Sequence, residues 1–298
     1  MIDFHVHTYY SDGSLSPENV VKRAKNKGVT LLSITDHDGL SAMNEGQRAG
    51  VQYGVKVIPG IELSTEMGEG EIFQRSIEPD SKIYMHILGY GIDKDNAMLN
   101  QAVAEIQANR VARNEKMLSV LKELGYELSK EELQVDPHST YIGKPNMARA
   151  LVKKGYISHA KEAFQAGKFL AHPEVKKIHR VKIEAAYAIE LIKGAGGIAV
   201  LAHPMKIAYK NKNQEGSFYD KLWPLLLELK GQGLGGMECY YSSHLISETQ
   251  RLIEMAEKAG LKISAGTDFH GPDLNKEIEI GKYPIPPLKS NLQYSIGL

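Results

Sequence analysis

Apolar and polar positions divide the first ninety residues into short buried runs and amphipathic stretches. Ile2 to Thr8 reads as a strand that carries polar residues from its start. A helix follows, with Ser16 as N-cap, Pro17 at the first helical position, Glu18 in the first turn and Gly28 at the end. Leu31 to Thr35 reads as a buried strand running into Asp36-His37-Asp38-Gly39. A second helix spans Ser41 to Tyr53 and closes at Gly54. Val55 to Leu63 is the third strand, and Lys82 to Tyr90 is the fourth. Between them lies a polar, Gly- and Glu-rich stretch from Glu66 to Ser81.

The pattern then changes. Ala97 to about Gly125 is one long helical run with apolar positions at Leu99, Val103, Ile106, Met117, Leu118 and Leu121. Short helices are expected at Lys130 to Leu133, Asn146 to Lys153 and Ser158 to Ala166, with no strand between Asp93 and His179. Alternation resumes with a helix at Lys182 to Lys193 and a strand at Gly197 to Ala202, then a helix at Tyr219 to Lys230. A strand at Gly236 to Tyr240, a helix at Ser247 to Ala259 and a strand at Lys262 to Gly266 complete it. Repeated strand–helix alternation implies parallel strands joined by right-handed crossovers. Seven strands favour a barrel over an open sheet. The expected organisation is an α/β barrel formed by residues 1–96 and 180–298, with an all-helical insertion over residues 97–179.

The length of 298 residues accommodates a barrel with an inserted subdomain. A hydrophobic share of 42% and a charged share of 24% exclude disorder. Net charge is zero, which argues against a grip on long duplex nucleic acid. Charge is uneven, however: Asn100 to Arg180 holds 14 basic and 9 acidic side chains, a local excess of +5. That excess is either a drift of surface charge or an anion-attracting region beside an acidic, cation-holding body. A single cysteine, Cys239, excludes a disulfide framework or a thiolate zinc site and reads as a packing residue. No apolar run approaches the roughly 18 residues of a membrane span, and the N-terminus lacks the pattern of a secretory leader. A cytoplasmic protein with no obligate protein partner is expected.

The chemistry gathers at strand ends, where barrels place their sites. The first strand supplies Asp3, His5 and His7, with Asp12 in the following loop. Later strands end in Asp36 and His37, Glu62, His86, His203, Glu238, and Asp268 with His270. His5 and His7 are two apart, so both project to one side of a strand and can share a cation. A lone strand-end His or Asp is usually a hydrogen-bonded structural residue. So many ionisable groups aimed at one pole are unfavourable to desolvate unless cations neutralise them. Imidazole and carboxylate without thiolate suit Zn, Mn or Fe.

Asp3-Phe4-His5-Val6-His7-Thr8, Thr35-Asp36-His37, Gly60-Ile61-Glu62, Ala202-His203-Pro204 and Gly266-Thr267-Asp268-Phe269-His270 resemble the successive motifs of the PHP (polymerase and histidinol phosphatase) superfamily. The resemblance runs from end to end. It implies a distorted (β/α)₇ TIM-like barrel with up to three divalent metals at its C-terminal face. Carried over by position, His5, His7, Glu62 and Asp268 would hold one metal, and Asp12, His37 and His270 a second. His86 and His203 would hold a third, with Glu62 bridging. Asp12 stands where some members have His. Asp36 would orient a neighbouring imidazole. The expected reaction is hydrolysis of a phosphomonoester by a metal-bridging hydroxide.

Arg110, Arg113 and Ile142-Gly143-Lys144-Pro145-Asn146-Met147-Ala148 resemble stretches of the branch that contains nucleoside 3′,5′-bisphosphate phosphatases and 5′-3′ exoribonucleases. That branch has Arg and His where this chain has Lys144 and Asn146; Lys keeps the charge but loses the bidentate fork. Lys206 falls where relatives often carry Arg. Arg113, Lys144 and Lys206 are the expected substrate-binding residues, unless they are ordinary solvated charges. His244 would line the pocket and shuttle a proton, or be a loop histidine. His138, His159, His172 and His179 read as surface or locally bonded residues. The expected substrate is a nucleotide, a 3′,5′-bisphosphonucleotide or the 5′ end of a short RNA. The rivals are a histidinol-phosphate phosphatase, a binuclear amidohydrolase, and a non-catalytic metal-binding regulatory module. The amidohydrolase would need a carboxylated lysine, and no lysine stands at a suitable strand end.

Overall fold

The computed structural model describes residues 1–68, 82–134, 139, 141–179, 181–207 and 218–286. Strand β1 (Ile2–Val6) leads to α1 (Pro17–Asn26), β2 (Leu31–Ile34), α2 (Met43–Tyr53), β3 (Lys56–Gly68) and β4 (Lys82–Tyr90). Ser16 accepts a hydrogen bond from the Asn19 amide at 3.1 Å, so the serine–proline start nucleates α1. Helices α3 (Ala97–Glu123), α4 (Lys130–Leu133), α5 (Lys144–Lys153) and α6 (Pro173–Lys176) follow. The chain then returns through β5 (Ile183–Glu184), α7 (Ala185–Gly194), β6 (Ile198–Leu201), α8 (Phe218–Gly231), β7 (Gly236–Tyr241), α9 (Ile246–Ala259) and β8 (Lys262–Gly266).

The sheet runs β1-β2-β3-β4-β6-β7-β8, with β5 paired to β3. It curls into a barrel-like wall. Its ends meet where the Asp268 amide donates to the His5 carbonyl at 2.8 Å and the His7 amide to the Phe269 carbonyl at 2.9 Å. Gly266 permits this seam. A Cβ there would collide with the His5 Cβ and come within 2.6 Å of Glu238 Oε1.

Four expectations are corrected. The strands are not all parallel: β4 is antiparallel to β3, from Gly60↔Tyr90 to Gly68↔Lys82, and antiparallel to β6. The third strand does not stop at Leu63 but continues to Gly68. The two long strands pair side by side along their whole described length, as consecutive antiparallel strands can, whereas parallel pairing needs a crossover. Ile183 and Glu184 do not begin a helix; they add an eighth short strand against Thr65 and Glu66. The expected helix over Ser158 to Ala166 is a 3₁₀ turn at Ala160–Phe164.

Buried apolar residues form a main core, a second cluster that joins Val20, Val21 and Ala24 of α1 to Leu32 and Ile34 of β2, and a separate cluster in the helical segment. Leu99, Ala102, Val103 and Ile106 of α3 belong to the main core. Met117 and Leu121 of the same helix pack with Leu133, Met147, Leu151 and Val175. Helix α3, about 40 Å long at 1.5 Å per residue, thus ties the helical segment to the barrel.

Candidate metal centre

Glu62 is fully buried at the C-terminal pole, where imidazoles surround its carboxylate. Its Oε2 lies 2.9 Å from His37 Nδ1, 3.2 Å from His7 Nε2 and 3.3 Å from His5 Nε2. Its Oε1 lies 2.8 Å from His86 Nδ1 and 3.0 Å from His203 Nε2. Asp268 Oδ1 closes on His7 Nε2 at 3.1 Å and His5 Nε2 at 3.4 Å. Asp12 Oδ1 is 3.1 Å from His270 Nε2, and its Oδ2 is 3.8 Å from His37 Nε2. All nine residues expected as ligands therefore converge on one pole.

Potential ligand atoms fall into three groups: His5, His7, Glu62 and Asp268; His7, Asp12, His37 and His270; and His37, Glu62 and His86. The expected grouping differs in detail. His7 and His37 each belong to two groups, and His203 reaches Glu62 without joining the third. His5 Nε2, His7 Nε2, His37 Nδ1, Asp12 Oδ1 and Glu62 Oε2 are buried and make no hydrogen bond within the described residues. Ligand atoms about 2.1 Å from one small divalent cation lie roughly 3 Å apart, so the orphaned atoms fit a metal.

The electrostatics agree. Burial alone would lower the His7 pKa, but Asp268, Glu62 and Asp12 raise it to about 10. His5 moves the same way, burial being outweighed by Glu238, Glu62 and Asp268. Glu62 and Asp268 sit well below the usual carboxylate range: their burial is outweighed by neighbouring imidazoles. His86 moves the other way, to about 4, because burial outweighs the pull of Glu62. Protons on His5 and His7 thus supply the positive charge these carboxylates require, and bound cations would replace them.

Several supports escaped the sequence. Glu238 Oε1 lies 3.0 Å from His5 Nδ1 and its Oε2 accepts the His203 amide at 2.7 Å, leaving His5 Nε2 aimed at the centre. Its strand-end position was the available signal. Tyr241 donates to Asp268 Oδ2 at 2.6 Å, and Lys206 Nζ donates to the same oxygen at 3.0 Å. Lys206 is thus held on a ligand carboxylate. Asp268 and His203 adopt positive φ values of 56° and 25°, conformations uncommon for side-chain-bearing residues and held here by their neighbours.

Asp36 does not touch an imidazole, contrary to expectation. It accepts hydrogen bonds from the Thr8 amide and hydroxyl at 2.7 and 2.6 Å and from the Ser11 hydroxyl, fixing the loop that carries Asp12. Only through Ser11, 3.4 Å from His7 Nδ1, does it reach a ring. His244 is buried, its Nδ1 donating to the Cys239 carbonyl at 3.1 Å. Cys239 is buried in the main core.

A cleft of about 350 Å³ opens over the centre, lined by His37, Tyr84, His86, His203, Lys206 and His270 among others. His244, Arg113, Lys144 and Arg149 are not among its lining residues. The helical segment approaches from one side. Arg110, buried, pairs with Asp38 and lies 3.8 Å over the Tyr141 ring, which stacks on His37 at 5.4 Å. Asn146 caps α5, accepting the Gly143 amide at 3.0 Å. Lys144 is lowered in pKa by burial and by the cations Arg113 and Lys176, which marks a local concentration of positive charge. His172 accepts the Glu174 amide, His159 and His179 are exposed, and His138 lies outside the described residues.

A barrel with a carboxylate-centred histidine cluster defines a metal-dependent phosphoesterase, and the comparisons agree. Residues 3–262 match the PHP domain, and the chain belongs to that family. It is 28% identical to a 5′-3′ exoribonuclease of Haemophilus influenzae, over 95% of this chain and 96% of that one. A phosphoribosyl 1,2-cyclic phosphate 1,2-diphosphodiesterase of Eggerthella lenta is 30% identical, over 90% and 94%. A 3′,5′-nucleoside bisphosphate phosphatase of Chromobacterium violaceum is 28% identical, over 91% and 87%. A solved structure from that same species, described as an amidohydrolase with bound sulfate and no metal, superposes with a TM-score of 0.78 at 27% identity. It covers 96% of this chain and 92% of that one. The protein is a metal-dependent phosphoric ester hydrolase, and no helix among the described residues is long and apolar enough to cross a membrane.

Proposed function

We propose that the enzyme releases phosphate from a nucleotide, a 3′,5′-bisphosphonucleotide or the 5′ end of a short RNA. The observation that carries this reading is Glu62, one buried carboxylate within 3.3 Å of five imidazole nitrogens. The proposed ligands are His5, His7, Asp12, His37, Glu62, His86, His203, Asp268 and His270. When bound, two or three Mn, Zn or Fe ions would acidify a water and neutralise phosphoryl oxygens in an in-line displacement. Glu238 holds His5 Nδ1 so that Nε2 faces inward. Tyr241 and Lys206 occupy one oxygen of Asp268 and leave the other toward His5 and His7. Arg113 and Lys144 supply positive charge for an anionic group of the substrate away from the reacting one. The three named relatives act on phosphate esters of nucleotides, RNA or phosphoribose, which supports a phosphorylated substrate of that kind.

The test is phosphate release with Mn²⁺ from histidinol phosphate, AMP, a 3′,5′-bisphosphate and a short 5′-phosphorylated RNA. Turnover concentrated on the nucleotides is expected. Turnover on histidinol phosphate alone would discard the substrate assignment. An inactive protein that still binds metal would point to a regulatory module.

A further inference from the structure

Helix α5 presents Arg149, whose Nε and Nη2 are buried and make no hydrogen bond within the described residues. A guanidinium keeps its charge at neutral pH and offers five donors in a flat fork. Burying two of those donors unmatched is strongly unfavourable without an acceptor.

The surroundings indicate which acceptor is missing. Ser139, just ahead of α5, donates to the Ser11 carbonyl at 3.2 Å, so this part of the helical segment rests on the loop that carries Asp12. Asp12 is the charged group whose field favours the Arg149 cation, against the effect of burial. No ion pair within 4.0 Å joins the two. Asp12 is instead committed to His270, His37 and His7. A cationic fork with two unmatched donors thus stands in the field of a candidate ligand without pairing with it, which suits an oxyanion as the missing acceptor.

We propose that Arg149 is a substrate-binding residue that receives the phosphoryl group undergoing hydrolysis, its Nε and Nη2 donating to two phosphoryl oxygens. The proposal rests on the phosphoesterase reading and assigns a different task from that of Arg113 and Lys144. Those side chains would hold a distal anion and matter only for substrates that carry one. Arg149 acts on every phosphomonoester, because it meets the group they share.

The experiment compares wild type with Arg149→Ala, Arg149→Lys and Arg149→Gln, all loaded with Mn²⁺. Kinetics are measured on p-nitrophenyl phosphate and on a 3′,5′-bisphosphate, and affinity for inorganic phosphate by calorimetry. The expected result for Arg149→Ala is a loss of about 100-fold in kcat/KM on both esters and about tenfold weaker phosphate binding. Metal content and Tm should not change, and lysine should recover only part of the loss, since it restores charge without the fork. Unchanged phosphate affinity and unchanged kinetics would overturn the proposal. So would a loss confined to the bisphosphate, which would move Arg149 to the distal anion. Should the alanine variant misfold, the lysine and glutamine variants decide by the same readouts. A wild type that hydrolyses neither ester would defeat the phosphoesterase reading alone, and the calorimetric comparison would still decide Arg149.

Discussion

Glu62 and Glu238 are both fully buried carboxylates at the same pole, yet they do different work. Glu62 contacts five imidazoles, so Glu62→Gln removes a charge that two of the three candidate ligand groups share. Turnover should be abolished and metal content should fall, as read by elemental analysis of the purified variant. Full activity would overturn the ligand assignment. Glu238 contacts only the Nδ1 edge of His5 and a backbone amide. Its loss should weaken metal binding by about 10- to 100-fold while the fold survives, because it sets the orientation and basicity of a ligand. Competition with a chelating dye on Glu238→Gln measures this. Spacing exposed His5 and His7 as a pair in the sequence. It could not show that Glu238, more than two hundred residues later, would support His5.

Two elements show how local segments serve the whole site. Arg110 helps dock the helical segment through Asp38, while Arg113, Lys144 and Lys176 gather positive charge. Arg113→Ala and Lys144→Ala should therefore raise KM for nucleotides severalfold with metal content intact, and leave p-nitrophenyl phosphate kinetics unchanged. Untouched nucleotide kinetics in both would show that this segment does not clamp a distal phosphate. On the opposite side, α1 is tied to the chain after β8 by Glu279, 2.7 Å from Arg23 and 2.8 Å from Lys27. Burial would raise the Glu279 pKa, but these cations hold it down at about 2, against 4.5 for a free side chain. A lowered folded pKa means stabilisation that is full above 4.5 and lost as pH falls toward 2. Glu279→Gln should cost roughly 1 kcal/mol or less at neutral pH. Its Tm deficit should shrink on acidification; a deficit independent of pH would show that the ion pair contributes nothing.

Across the molecule, the proposed metal binding should be coupled to folding. The pole gathers Glu62, Asp12 and Asp268 at the seam where β1 meets the chain after β8. Ligands that bind only the folded state stabilise it by about 4 kcal/mol per site at a thousandfold excess over Kd. Stripping with a chelator should therefore lower Tm by several degrees, and Mn²⁺ should restore it. The stabilisation should fade as pH drops below about 6, since imidazoles must give up protons to bind metal. A Tm indifferent to both treatments would mean that the cluster is held by protons alone.

The strand-end candidate ligands were legible in the sequence because barrel geometry turns a local rule, polar residues at the ends of buried strands, into a shared location. His37, Glu62, His203 and Asp268 each fall at or just beyond the end of a strand-like run, and His5 lies in the first such run, so no long-range knowledge was needed to gather them. The reversal of β4 was not legible, since an apolar run has no direction and the hairpin with β3 is set by pairing. Asp36 shows the same limit: position marked it as important, but only packing decided that its partners are Thr8 and Ser11. Tyr241, Tyr141 and Arg149 carried no periodic signal at all. Their places depend on contacts between segments far apart in the chain, and such contacts exist only once the barrel has closed.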